Sequence, residues 1–310
     1  MTPSGSRLRG YIEAVAAASL WGSSGIFAIN LFRLGVPPES LALLRPVVGG
    51  LILLVGVGLR DVRALAIDRR GFLALTLGGG FAIGVFQIAY QLSTDAVGVP
   101  STVALLYLAP AVVAAASGPL LGEWPDRTRI LLLVVTLTGV WLSVLGAEEV
   151  TATFGTTGLG WGVLAGVAYG AYTLFGRYAA PLYGSLRTVV YSTVGSCAFL
   201  AVAVPVTSGP IVLPGSGQAW WLLFAFALLT IAVAHFLFFD ALSHIDASRA
   251  SIATAVEPVV AGVLATVLLS QGLTMVGWAG ISLVVVGVAG VGVTARADGR
   301  PDDGGFVLSE

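Results

Sequence analysis

A single carboxylate, Glu257, stands inside a long apolar stretch of the sequence. It is the only charged residue between Arg249 and Arg296, and Pro258 follows it directly. Burying an ionised carboxylate in a membrane costs about 2.5 kcal/mol or more, so we expect Glu257 to face a water-filled cavity, to pair with another group or to stay protonated. Two interpretations stay open: Glu257 is a coupling site or counter-ion for a cationic substrate, or it caps backbone groups that Pro258 frees.

Other polar side chains within the apolar stretches form a second set of candidates. Such groups stack on a small substrate and hydrogen-bond to its polar end, or else they join neighbouring helices. The set that we expect along a substrate path is Trp21, Gln87, Tyr90, Gln91, Tyr107, Tyr169, Tyr172 and, as a proton carrier or a packing residue, His235. Pro110 and Pro258 each remove a backbone hydrogen bond, which predicts a kink that either lines a cavity or is purely structural.

Charged residues near the ends of the apolar stretches have an interfacial interpretation. Arg45 precedes Pro46, and its long side chain reaches toward lipid headgroups or binds an anionic group of a substrate. Glu123 is followed closely by Arg127 and Arg129, which predicts a salt bridge at the membrane surface.

The composition excludes several classes of protein. Of the 310 residues, 57% are hydrophobic and only 10% are charged, whereas a soluble domain carries about 25% charged residues. One cysteine and two histidines offer no metal-ligand set and no catalytic triad, so we expect no metal, no cofactor and no enzymatic activity. The net charge of -1 gives no basic surface for nucleic acid. An all-α integral membrane protein is the class that remains.

Turn residues and charges divide the chain into ten apolar segments of about 20 residues, the length that crosses a bilayer as a helix. The predicted spans are 11–32, 39–59, 71–92, 99–120, 129–146, 158–178, 187–206, 218–240, 249–270 and 275–294. The arginines then fall mainly on one side, and the positive-inside rule places both termini, including residues 1–10, in the cytoplasm of a multi-pass inner (plasma) membrane protein. The polar, glycine-rich segment 295–310 is predicted to be a disordered tail.

The sequence also looks like two copies of one unit, displaced by 148 positions: Trp21 is equivalent to Tyr169, and Pro110 to Pro258. The predicted organisation is a first repeat over 11–146, a linker over 147–157 and a second repeat over 158–294. With five spans each, the second repeat enters the membrane upside down relative to the first. Inverted-topology repeats are typical of secondary transporters, whose substrate site lies near the midplane where the halves meet. Trp21 and Tyr169 would then face each other across the pseudo-symmetric centre.

Four stretches carry a resemblance to a known family. They are “SLWGSSGIFA” in the first span, “LALLRPVVGG” in the second, “VALLYLAPAVVAAASGPLLGE” in the fourth and “ASIATAVEPVVAGVLATVLLSQ” in the ninth. In these, and over nearly all of Gly10 to Val293, the chain resembles the drug/metabolite transporter superfamily, specifically proteins with two EamA domains. Gln271 stands where the family usually has a second glutamate, equivalent to Glu123. The resemblance implies a ten-helix inner-membrane carrier, and most such carriers export amino acids, metabolites or drugs, often driven by protons.

These features together predict a secondary active transporter that exports a small metabolite or amino acid by alternating access, with protons as the coupling ion. Its expected partners are a small-molecule substrate and the lipid bilayer, in a monomer or a homodimer. Two alternatives stay open. One is a facilitator without coupling, and the other is a membrane sensor or assembly protein that transports nothing.

Overall fold

The computed structural model describes residues 3–146, 156–269 and 274–297, and every regular element in those ranges is helical. Most of the predicted linker at 147–157, most of the tail at 295–310, and Gln271 lie outside the described residues. The α-helices are α1 (Pro3–Gly22), α2 (Ser24–Arg33), α3 (Pro38–Arg60), α4 (Arg69–Leu73), α5 (Gly80–Leu106), α6 (Ala109–Leu121), α7 (Arg127–Leu145), α8 (Thr156–Tyr183), α9 (Ser185–Ser208), α10 (Gly217–Ala227), α11 (Ala234–His244), α12 (Ala247–Ala253), α13 (Glu257–Leu269) and α14 (Met275–Ala297).

Helical turns of other types join some of these helices end to end. Two π-helical segments, Ala74–Gly79 and Leu228–Val233, connect α4 to α5 and α10 to α11. Two 3-10 segments lie at Val62–Leu65 and Thr254–Val256. The joined helices are therefore longer than any single one of them, and this length matters for crossing a bilayer.

Seven helices within the described residues are long and apolar enough to cross a membrane. They are Ser6–Arg33, Pro38–Arg60, Arg69–Ser93, Thr156–Tyr183, Ser185–Ser208, Gly217–His244 and Ala247–Leu264. Two shorter apolar helices, Ala109–Leu121 and Met275–Val291, lie within two more of the predicted spans. The structure thus supports a multi-pass, all-helical membrane protein, while the count of ten spans stays a prediction.

The end of the third predicted span and the start of the fourth lie in one stretch of helical backbone, α5, that turns sharply. The Thr102 hydroxyl lies 2.9 Å from the Ser93 hydroxyl, to which it donates a hydrogen bond. In a straight helix nine residues advance the chain by about 13.5 Å, so two side chains so far apart in sequence could not touch. The chain therefore turns between these two residues without losing its helical backbone pattern.

The two halves of the chain place their helices at equivalent positions. With an offset of 148 residues, α6 begins and ends where α13 does, α7 begins where α14 does, and α4 begins where α10 does. Identical starting points are expected when both halves fold from the same ancestral pattern of turn residues and apolar runs. The structure therefore contains the internal repeat that the sequence indicates.

Three of the predicted spans are interrupted. The first span was predicted as one helix over 11–32, but α1 ends at Gly22 and α2 begins at Ser24. At this break both the amide and the hydroxyl of Ser23 donate to the Leu20 carbonyl, which tightens the turn locally. The other two interruptions lie at 107–108 and at Thr254–Val256, each just before a proline. Pro110 and Pro258 consequently stand in the first turns of α6 and α13, where a missing amide costs little.

Small residues bring the two halves into close contact. A side-chain carbon added to Gly166 would lie 2.7 Å from the Leu105 carbonyl oxygen, and one added to Gly170 would lie 2.9 Å from Val112. These glycines on α8 are four residues apart and so share one helix face, against which α5 and α6 pack.

Candidate functional site

A cavity of about 230 Å3 opens between the two halves and is lined by both. On the first predicted span its wall begins at Trp21 and continues to Phe32; on α3 it begins at Pro38 and ends at Arg45. The cavity thus reaches toward the end of the bundle where α2 connects to α3. Pockets for drug-sized ligands usually have volumes of about 300–1,000 Å3, so this one suits a small metabolite.

The charged side chains on the cavity wall have opposite signs. Arg45 comes from α3 and Glu257 from the first residue of α13. The two attract each other electrostatically, yet neither makes an ion pair with any described residue. The Arg45 guanidinium instead lies 5.0 Å from the centre of the Phe226 ring, in the range of a cation–π contact. Both charges are therefore available to groups inside the cavity.

Aromatic rings form a large part of the remaining wall. Trp21 and Tyr169, the equivalent residues of the two repeats, meet edge to face with their ring centres 6.3 Å apart. Phe86 stacks on Tyr169 at 5.2 Å, and Tyr172 stacks beside Tyr169 at 6.0 Å. The buried Tyr172 hydroxyl has no hydrogen-bond partner among the described protein atoms. Such a surface offers apolar ring faces together with hydroxyl groups to a ligand.

The π-helical segment on the eighth predicted span holds two of these side chains in place. The Thr230 carbonyl oxygen accepts a hydrogen bond from Trp21 Nε1 at 2.9 Å and lies 2.7 Å from His235 Nδ1. A carbonyl oxygen only accepts, so Nδ1 of His235 carries the proton and a neutral ring keeps Nε2 as an acceptor. Because a π-helical turn alters the regular backbone pairing, the Thr230 carbonyl can serve side chains in this way. Trp21 and His235 also pack edge to face, with ring centres 5.3 Å apart.

Glu257 lies where the interrupted helices meet. A side-chain carbon added to Gly22 would lie 2.7 Å from the Glu257 carbonyl oxygen, so the break between α1 and α2 packs directly against the start of α13. The Tyr107 hydroxyl, at the break before α6, interacts with the Glu257 carboxylate but does not reach hydrogen-bonding geometry with any described atom. Glu257 therefore lies beside the breaks in the first, fourth and ninth predicted spans.

The structure brings together most of the candidates from the sequence. One cavity is lined by Trp21, Gln87, Tyr90, Gln91, Tyr169, Tyr172, His235 and Glu257. Tyr107 is the exception: it is 3% exposed and packs behind the cavity against Val140 and Val284. Pro110 is buried beside the break in the fourth predicted span and does not line the cavity.

Arg45 is the candidate for which the sequence left two positions open, at the lipid headgroups or beside an anionic group of a substrate. The sequence favoured a side chain directed at lipid headgroups, but the structure places it on the cavity wall. Pro46, the next residue, is buried, so this face of α3 points into the protein. The available signal in the sequence is an arginine followed at once by a proline within a span. The position of Arg45 near the end of its span favoured a place at the lipid headgroups instead.

Comparison with known proteins identifies the family. The model of the EamA-like transporter family matches residues 8–145 and again residues 156–293. The chain belongs to the EamA-like transporter family. The two matched EamA repeats start 148 positions apart and end 148 positions apart, which is the offset that the sequence predicts. Family membership makes the chain a membrane transporter rather than an enzyme.

Relatives of this EamA protein are named as transporters. An uncharacterized inner membrane transporter of Salmonella typhimurium is 22% identical over 302 residues, covering 96% of this chain and 99% of the relative. An uncharacterized transporter of Archaeoglobus fulgidus is 26% identical over 280 residues, covering 90% and 94%. A crystal structure with a TM-score of 0.80 and 18% identity covers 93% of this chain and 98% of that chain, which supports the fold alone.

Proposed function

We propose that this EamA-family chain is a secondary active transporter for a small zwitterionic metabolite, with an amino acid as the first candidate. The observation that carries the proposal is the presence of Arg45 and Glu257 on one cavity wall without an ion pair between them. The Arg45 guanidinium offers paired donors to a carboxylate, and the Glu257 carboxylate offers an acceptor to an ammonium group. A ligand with both charges satisfies both residues, whereas a simple cation or anion leaves one of them unmatched.

The aromatic wall supplies the rest of the recognition. Rings of Trp21, Tyr169 and Tyr172 surround the same space as the two charges, and they hold an apolar side chain or attract an ammonium group by cation–π contact. Size adds a restriction, because about 230 Å3 is too small for most drugs.

Glu257 couples the substrate to protons in this proposal. A carboxylate that holds a proton no longer carries the charge that attracts an ammonium group, so the proton and the substrate compete for the same group. When the cavity opens in turn to each side of the membrane, the protein exchanges the substrate for a proton. With a proton gradient directed inward, the exchange exports the substrate.

The proposed architecture is ten spans in two inverted five-helix repeats, in an inner membrane, with both termini in the cytoplasm. The positive-inside rule supports this orientation, because the arginines concentrate at the end of the bundle opposite the cavity opening. Rocking of one repeat against the other is the motion that inverted repeats allow.

Transport assays on purified protein in liposomes test the proposal. A panel of radiolabelled amino acids, zwitterionic, acidic and basic, is followed by counterflow with and without an imposed pH gradient. We expect zwitterionic substrates to exchange and the pH gradient to accelerate their flux. Glu257→Gln should insert normally and lose the response to the gradient, while Glu39→Gln, a change to a carboxylate on α3 that does not line the cavity, should keep it.

The alternatives give different results in the same assay. Flux that ignores the pH gradient in the unaltered protein would indicate an uncoupled facilitator. Absence of flux for every probe, with the protein folded in the liposomes, would favour a sensor or assembly role. A Glu257→Gln variant with normal coupled flux would exclude Glu257 as the coupling group.

A further inference from the structure

Two groups of charged residues lie at the end of the bundle opposite the cavity opening. The first ionic cluster consists of Arg9, Glu13, Asp240, His244 and Ser185. Arg9 pairs with Glu13 at 2.7 Å and with Asp240 at 2.6 Å. The Ser185 hydroxyl donates to Asp240 at 2.8 Å, and His244 lies 3.6 Å from the same carboxylate.

The second ionic cluster consists of Glu123, Arg177, Arg129, Asp246 and the amide of Ala247. Arg177 pairs with Glu123 at 2.5 Å, and Arg129 pairs with Asp246 at 2.8 Å. The Ala247 amide donates to the other Glu123 oxygen at 3.0 Å. Burial raises the pKa of the Glu123 carboxyl, and the Arg177 guanidinium opposes that rise. The sequence predicted a salt bridge for Glu123, and its partner is Arg177 from the other repeat.

Three ion pairs shorter than 3 Å in these clusters join the two EamA repeats. Arg9, Glu123 and Arg129 belong to the first repeat at 8–145, and their partners belong to the second repeat at 156–293. Arg33 and Glu39 lie near the cavity opening, and neither forms an ion pair within the described parts of the chain. Among the described residues, the ion pairs that join the repeats therefore all lie at this one end.

Packing closes the same end. A side-chain carbon added to Gly10 would lie 2.8 Å from the Cβ atom of His244, so α1 and α11 touch there almost backbone to backbone. Between that contact and the cavity lie Ala14 and Ala17, both fully buried. Arg9 precedes Trp21 by about 18 Å of helix, and no residue of α1 before Trp21 lines the cavity.

We propose that the two ionic clusters form a gate that closes the cavity on the side of Arg9 and Glu123 and that opens by separating the repeats there. The inference rests on the alternating-access transporter proposed above, and it assigns the closing contacts to named residues. Opening exposes the cavity to that side only after the Arg9–Asp240, Arg177–Glu123 and Arg129–Asp246 pairs have parted. Loss of these pairs shifts the population toward the arrangement open on the gate side.

Cysteine labelling in the absence of substrate tests the gate. Cys197 is the only native cysteine, so Cys197→Ser provides a background for two reporters, Ala17→Cys beneath the gate and Ala28→Cys on the cavity wall. In the gate variant, Glu123→Gln with Asp240→Asn, a water-soluble maleimide should label the first reporter about tenfold faster and the second several-fold more slowly.

Asp126→Asn is the matched control. Asp126 lies beside the second cluster, but its ion pair is with Arg129 in its own repeat, and its side chain is 55% exposed. Labelling in this variant should equal that of the background. If the double variant does not fold, Arg9→Gln replaces it, because Arg9 is 47% exposed and its loss disturbs little packing; it should accelerate labelling beneath the gate about threefold.

Unchanged labelling of both reporters in a folded gate variant would overturn the gate, as would an equal change in Asp126→Asn. These outcomes do not depend on transport. Normal coupled flux with unchanged labelling would reject the gate alone, whereas absent flux with the expected labelling would reject the proposed function and leave the closing contacts supported.

Discussion

The two repeats share their backbone plan but differ in the chemistry that they bring to the cavity. The fourth and ninth predicted spans both break just before a proline, and their second segments, α6 and α13, start at equivalent positions. At those starts stand Ala109 in the first repeat and Glu257 in the second. Ala109 is 1% exposed within the core, while Glu257 lines the cavity.

Other equivalent positions show the same division between shared placement and different side chains. Gln87 and His235 are equivalent, as are Trp21 and Tyr169, and all of them line the cavity. Arg45 lines the cavity but its equivalent, Thr193, does not. The repeat therefore provides a symmetric scaffold, and substitutions in single copies provide the charges. Exchanging a residue for its equivalent tests which of the two matters at each position.

The largest expected effect is at the two helix starts. Ala109→Glu buries a charge in a packed core, which costs about 3–5 kcal/mol and should lower the melting temperature in detergent by about 10 °C. Glu257→Ala removes a charge from a cavity wall and should fold normally while losing coupled flux. Thermal unfolding followed by size-exclusion chromatography measures the stability of both variants. Equal stability of the two variants would mean that the two positions are not as different as their exposure indicates.

A smaller effect is expected for Arg45→Thr, which introduces the residue found at the equivalent position. Loss of the guanidinium removes the partner of the substrate carboxylate, so substrate affinity should fall about 30-fold, with little change in the maximal rate. Binding of a zwitterionic amino acid, measured by calorimetry on the purified protein, checks this. Arg33 lies at the same end but does not line the cavity, so Arg33→Gln should bind the amino acid normally. An equal loss of affinity in Arg33→Gln would indicate that long-range electrostatic attraction, and not contact with Arg45, causes the effect.

The smallest effect is expected for His235→Gln. The glutamine amide can donate to the Thr230 carbonyl as the histidine does, and the equivalent residue, Gln87, already occupies the same wall. Coupled flux should stay within about threefold of the unaltered protein, because a structural hydrogen bond is kept. A loss of all coupling in this variant would instead make His235 a proton carrier.

Much of the fold could be predicted from local pattern. Apolar length indicated the membrane, and a constant offset indicated the repeat, because both are written into the order of residues without reference to any neighbour. The break at Ser23 was missed. It depends on the close approach of Gly22 to the Glu257 backbone, a contact between residues more than two hundred positions apart in the sequence.

The candidate site, like the fold, could be predicted from the sequence only in part. Glu257 was found because an isolated carboxylate in an apolar span is costly wherever it points. For Arg45 the sequence left a headgroup role and a substrate role open, and the structure places its side chain on the cavity wall. Tyr107, which we expect along the substrate path, is buried beside the cavity and does not line it. Which side of a helix faces the cavity depends on the rotation of that helix about its axis, and the sequence of one helix does not determine that angle.

The sequence by itself determined that this chain crosses a membrane many times, that it is built from two related halves, and that one buried carboxylate needs a reason to be there. These follow from the cost of placing charge and unpaired backbone in lipid, which each segment meets alone. Only the tertiary structure decided which helix faces meet around the cavity and which charged residues pair at the opposite end. Those choices come from packing between helices, where small residues set how closely the two halves approach.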